Sequence, residues 1–170
     1  NTSSKATDRS ADRRRFGRKA GQKMKYTVGF LGCGNMGGAL ARAAALARPR
    51  GIALCDTDKT KAESLAREIG AVRTDALTLV NECEVLFLAV KPQGMKNALA
   101  PLRAALAARA DSLLLVTMAA GLTVAEISSL ADFSGRIIRI MPNTPVGVGA
   151  GTVRYALCDG VGVEDEKKFL

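Results

Sequence analysis

Residues 25–37 read Lys25-Tyr26-Thr27-Val28-Gly29-Phe30-Leu31-Gly32-Cys33-Gly34-Asn35-Met36-Gly37. A short apolar run ends in G-x-G-x-x-G, and an Ala- and Leu-rich stretch follows from Met36 to Ala47 that reads as a helix. By itself the glycine pattern is common. Its weight comes from its place, directly after a strand and opening a helix. There Gly32 permits the tight turn. Gly34 lets main chain approach a diphosphate, and Gly37 lets the helix pack closely on the strand. Cys33, Asn35 and Met36 fill the remaining positions of the loop, and their main chain, like that of the glycines, is expected to face the phosphates. Free N–H groups and the positive end of the helix dipole favour an anion at that point.

Moving outward, short apolar runs alternate with longer helical stretches, the pattern of parallel β/α units. Strands are expected over 25–31, 52–55, 71–73, 85–90, 113–118 and 136–141, and 152–158 offers a seventh. Helices are expected over 36–47, 60–69 with Gly70 closing the end, 77–82, 93–108 and 123–131, the last with a Thr123/Glu126 capping box. The fold class that follows is α/β: a Rossmann-type, doubly wound, mostly parallel sheet with helices on both faces. Asp56 falls at the end of the second strand, where an acid accepts hydrogen bonds from the adenine ribose. An acid there favours NAD, while Lys59 and Lys61 nearby offset it, so both NADP(H) and NAD(H) stay open as cofactors.

Composition sets the limits. The apolar share of 48% can build a core, and the longest strongly apolar run, Val85 to Val90, is far too short to span a bilayer. No membrane association is expected. The net charge of +9 is uneven, because residues 1–23 hold eight basic residues against two acidic ones. That leader lacks the apolar side chains needed to fold and reads as a disordered basic segment. The remainder is close to neutral, so no nucleic-acid partner is expected. Cys33, Cys55, Cys83 and Cys158 show no C-x-x-C spacing and read as reduced thiols of a cytoplasmic protein. With no histidine in the chain, no metal site and no imidazole base are expected. Residues 24–160 read as the NAD(P)-binding domain. Residues 161–170 read as the start of a helix, truncated and leading toward an absent C-terminal region.

Three further stretches fall at strand ends, where open α/β sheets bind ligands. They are Ala89-Val90-Lys91-Pro92, Ala119-Ala120-Gly121 and Met141-Pro142-Asn143-Thr144-Pro145. Small residues at Ala120 and Gly121 would let a flat ring lie against main chain. Lys91 would bring charge toward phosphates or a substrate carboxylate, and Pro92 suits the first turn of a helix. Asn143 and Thr144 sit in a turn stiffened by prolines, close to where substrate would lie.

Together with the glycine fingerprint these stretches resemble pyrroline-5-carboxylate reductase, over roughly residues 25–170. The resemblance implies NAD(P)H-dependent reduction of 1-pyrroline-5-carboxylate to L-proline, the last step of proline biosynthesis, by a homo-oligomeric enzyme. Two departures stand out. The family's adenosine-touching Asn is replaced around Thr74-Asp75-Ala76, and the family's C-terminal helical domain has no counterpart here. No catalytic residue is carried over, and the chain alone is expected to bind cofactor but reduce substrate weakly or not at all. Gly29 to Gly37 also fits a β-hydroxyacid dehydrogenase, which would carry a Ser-Gly-Gly-type turn at Ala119-Ala120-Gly121. A catalytically inactive dinucleotide-binding fragment is the third reading.

Overall fold

A computed structural model describes residues 23–47 and 51–142, and the main chain of 153–157. The leader over 1–22, Asn143, Thr144, Pro145, Cys158 and the helix expected from Val163 lie outside the described residues.

The strands are β1 (Tyr26–Leu31), β2 (Ile52–Cys55), β3 (Val72–Arg73), β4 (Cys83–Leu88), β5 (Leu114–Thr117), β6 (Arg136–Pro142) and β7 (Val153–Leu157). The helices are α1 (Asn35–Ala47), α2 (Lys59–Ile69), α3 (Ala76–Glu82), α4 (Pro92–Leu99), α5 (Arg103–Ala108) and α6 (Val124–Ala131). One sheet runs in the order β3-β2-β1-β4-β5-β6-β7. The first six strands are parallel to their neighbours, and β7 pairs antiparallel with β6. This is the doubly wound order, with the chain reversing direction between β1 and β4.

Alternation along each strand feeds two cores. Val28, Phe30, Ile52, Leu54, Val85, Phe87, Leu114 and Val116 pack under Leu40, Ala41, Ala62 and Leu65 of α1 and α2. Leu86, Leu88, Leu115 and Ile137 turn to the other face, against Leu79, Met95, Leu99, Leu106 and Ile127 of the remaining helices. Phe30 and Phe87 stack at 4.7 Å between centroids. The central strands are apolar on both faces, as an interior parallel sheet requires.

Two elements depart from the sequence reading by more than one residue at an end. The helix expected over 93–108 is broken into α4, a 3-10 turn at Ala100–Leu102 and α5. Pro101 explains the break, since it lacks the N–H an α-helix needs and crowds the carbonyl four residues back. The fourth strand begins at Cys83 instead of Val85, paired with Tyr26, and ends at Leu88. Hydropathy alone pointed to Val90, but the Ala89 N–H donates to Leu31 O at 2.8 Å and closes the ladder there. Thr123 caps α6 with its full capping box, and Asp58 and Asp75 cap α2 and α3 through side-chain oxygens.

Candidate dinucleotide site

The site grows from the crossover between β1 and α1. Gly32 adopts φ +104°, a left-handed conformation that favours glycine, and its N–H donates to Cys55 O at 2.8 Å. A Cβ on Gly32 would stand 2.6 Å from Ala89 O. One on Gly37 would collide with Gly32 O. One on Gly34 would meet nothing within 4 Å. The outer two glycines therefore serve close packing of the protein on itself, and the middle one faces open space. The first N–H groups of α1 lack intrahelical acceptors, and no acidic side chain occupies that first turn. A concave, glycine-lined main-chain surface at a positive helix end fits a diphosphate.

Two cavities open on either side of Gly34. One, about 440 Å³, is lined by Gly34, Asn35 and Met36, by Ala89 to Pro92, by Met118 to Ala120 and by Arg139 to Pro142. The other, about 510 Å³, is lined by Leu31, Gly32, Gly34, Asp56, Thr57 and Lys61, and across the gap by Ala89 to Lys91, Gly94, Asn97 and Ala98. Gly34, Ala89, Val90 and Lys91 belong to both, so they form the waist. Two chambers sharing that lining, at the carboxyl ends of the strands and at the point where strand order reverses, lie where open α/β sheets bind dinucleotides.

The structure brings together Gly32, Gly34, Asn35, Met36, Asp56, Ala89, Val90, Lys91, Pro92 and Ala120, as the sequence suggested. Lys91 is exposed and forms the N-cap of α4 without a side-chain cap bond. Three expected residues behave otherwise. Gly37 is buried beneath the loop. Gly121 sits in the turn beyond β5 at φ +77°, outside the lining of both cavities. Cys33 points its side chain into the core, and its N–H is taken by Asp56 Oδ2 at 2.7 Å. Of the loop, Gly34, Asn35 and Met36 remain to line the cavity toward β5 and β6.

Asp56 carries a second bond, accepting from Asp58 N–H through Oδ1 at 2.8 Å. Its carboxylate thus buckles the glycine loop to the end of β2. Burial and the neighbouring Asp56 charge push the Cys33 thiol up to about 12, so it is neutral and inert in this setting. Lys61, expected near Asp56, lines the same chamber, while Thr57, Gly94, Asn97, Met118 and Arg139 are not singled out by the sequence. Gly94, Asn97 and Ala98 follow helical spacing from Val90, and that periodicity was the available signal. Arg139 lies within an apolar strand and carried no signal of its own. At the Thr74-Asp75-Ala76 departure, Asp75 is spent capping α3.

Comparison with known proteins agrees with this geometry. Residues 27–121 match the family model described as NADP oxidoreductase, coenzyme F420-dependent. Pyrroline-5-carboxylate reductase of Arabidopsis thaliana is 32% identical over 82% of this chain and 51% of its own length. The enzyme of the same name from Escherichia coli (strain K12) is 33% identical over 75% of this chain and 48% of its own length. The crystal structure of Plasmodium falciparum pyrroline carboxylate reductase with NADP bound superposes at a TM-score of 0.72, with 25% identity, covering 87% of this chain and 54% of that one. The chain spans about half the length of the curated relatives it matches. It belongs to the family of NADP oxidoreductases described as coenzyme F420-dependent, and the relatives it resembles are pyrroline-5-carboxylate reductases.

Proposed function

We propose that this chain is the coenzyme-binding half of an NAD(P)H-dependent reductase that converts 1-pyrroline-5-carboxylate to L-proline. The observation that carries the reading is the pair of cavities meeting at Gly34, set at the carboxyl ends of β1, β4 and β5. The relatives' names supply the substrate, and the Plasmodium enzyme's bound NADP supports the coenzyme class.

Gly34, Asn35 and Met36 would hold the diphosphate through main-chain N–H groups. Asp56, Thr57, Gly94 and Asn97 would hold the adenosine. Ala119 and Ala120, backed by Met118, offer a flat apolar shelf for the other base. The chemistry a reduced nicotinamide supplies when bound is hydride donation to the carbon of a C=N bond. The residues of the shelf orient and exclude water; their contribution to rate is positioning. Arg139 and Lys91 place positive charge in the same chamber, suited to a carboxylate-bearing substrate. Asn143 and Thr144 are proposed to approach that substrate too. The buried thiols Cys33 and Cys83 suit a reducing compartment, and we place the protein in the cytoplasm. No helix among the described residues is long and apolar enough to cross a membrane. A second copy of the chain is the proposed partner, as the resemblance implies a homo-oligomer.

Coenzyme oxidation in the presence of 1-pyrroline-5-carboxylate, set beside coenzyme reduction with β-hydroxy acids, tests the assignment. Bound coenzyme with imine-dependent oxidation, slower than in a whole-length relative, is expected. Turnover of hydroxy acids in place of the imine would contradict it.

A further inference from the structure

We infer that the chamber lined by Met36, Met118 and Met141 is an oxidation site: Met141 takes an oxygen atom from a peroxide, and its sulfoxide weakens the hold on the ring half of the coenzyme. The consequence for binding rests on the coenzyme reading above; the place of oxidation does not.

All five methionines of the chain are among the described residues, and the fold sorts them. Three line the 440 Å³ chamber, one from α1, one from the turn after β5 and one from β6. None lines the 510 Å³ chamber. Exposure then ranks the three. Met36 and Met118 are half-buried against the core. Met141 is 64% exposed, whereas Met95 of α4 is 0% exposed. Strand alternation places Met141 there. Ile138 and Ile140 point into the core. Met141 has the other parity and shares its face with Arg139, at the strand end where the chamber opens. Its main chain is held in register with Arg154 of β7.

A thioether carries no proton to lose and reacts where peroxide reaches it. Thiols compete only as thiolates. Burial pushes the Cys33 and Cys83 thiols up to about 12 and raises Cys55 as well, so these three compete poorly. In the step, the peroxide O–O bond breaks and a sulfur–oxygen bond forms. Sulfur gives up two electrons, and the other peroxide oxygen leaves as water with both protons. The product sets a polar, chiral group where an apolar, flexible one stood. It does so in the chamber that holds the Ala119 and Ala120 shelf. A flat ring loses its soft sulfur contact there, while the adenosine chamber keeps its lining.

The test treats the 170-residue chain with dilute hydrogen peroxide at neutral pH, follows each methionine by peptide mapping, and titrates the product with NADH, NADPH and ADP. Met141 is expected to gain oxygen ahead of Met36 and Met118, and at least tenfold faster than Met95. Coenzyme binding should then weaken about threefold to tenfold, with ADP, which probes the adenosine half alone, within about twofold of its untreated value. Met141→Leu keeps an apolar side chain without the sulfur. Peroxide should leave its coenzyme affinity within about twofold of its own untreated value. The order of oxidation in the wild-type chain stands even where the variant folds poorly. Oxidation of Met95 as fast as Met141, coenzyme affinity unmoved by Met141 oxidation, or an equal loss in the leucine variant overturns the inference. Failure of the untreated chain to bind either coenzyme overturns the coenzyme reading, and the binding consequence with it.

Discussion

Gly37 lies so close to Gly32 that a single methyl group on the former would collide with the carbonyl oxygen of the latter. Gly34, midway between them, has no protein atom within 4 Å of where its Cβ would stand. The three glycines of one motif therefore answer to different forces, and substitution separates them. Gly37→Ala should cost about 2 kcal/mol of folding stability through overpacking. Gly34→Ala should leave stability within about 0.5 kcal/mol, as an open surface position does, yet weaken dinucleotide binding at least tenfold. Urea denaturation read beside coenzyme titration checks both.

Arg109 is 2% exposed, and its guanidinium donates to Val80 O at 2.5 Å, Cys83 O at 3.0 Å and Ser112 Oγ at 2.9 Å. It closes the end of α3 and the start of β4 from α5's C-terminal side. Arg109→Ala would strand two buried carbonyls, at a cost of about 3 kcal/mol. A denaturation midpoint unchanged from wild type would contradict this role.

Acid should loosen the helix starts. Hydrogen bonds from the Thr78 main chain and side chain hold the Asp75 carboxyl below its usual range, and the Thr123 main chain does the same for Glu126. Both folded-state values are depressed, so their stabilisation is present above the unfolded values and lost as pH falls through the folded ones. The melting temperature should decline as pH drops below about 4.5, the ordinary value for Glu126. Asp75→Ala should lower stability at pH 7 by about 1 kcal/mol and flatten the acid limb. A limb of unchanged steepness would speak against the caps.

An alkaline limb is expected as well. Burial raises the Cys33 and Cys83 thiols to about 12. Between the unfolded value near 8.5 and those folded values, only the unfolded chain sheds the protons, so stability falls as pH rises. At pH 8 a thiol reagent should leave Cys33 and Cys83 unlabelled in the native chain and label them in urea, as peptide mapping would read. Rapid native labelling of either would contradict their burial.

Much of this architecture was legible because each signal was local. The apolar strands, the Gly32-Gly34-Gly37 spacing, the Thr123/Glu126 box and the Gly70 cap all act within one turn or one strand. The site's framework followed, since strand ends gather by topology alone. What the sequence does not show depends on partners distant along the chain. Cys33 read as a loop residue facing phosphate, but Asp56, brought beside it by the β1–β2 pairing, takes its N–H. Nothing local to Arg109 marks it for burial, which depends on its bonds to the Val80 and Cys83 carbonyls of α3 and β4. Pro101 was a local signal overridden by a smooth helical hydropathy pattern. The antiparallel sense of β7 depends on its return to the β6 edge, which no periodicity reveals.

The glycine loop and the strand-end shelf are proposed to grip one dinucleotide together. Backbone amide resonances recorded while NADH or NADPH is added test it most directly. Perturbations should gather at Gly34, Asn35 and Met36, at Ala89 to Lys91 and at Ala119 and Ala120, with the Cys33 amide moving less because Asp56 already holds it. A spectrum unmoved by either coenzyme, or one perturbed only away from these strand ends, would contradict the account.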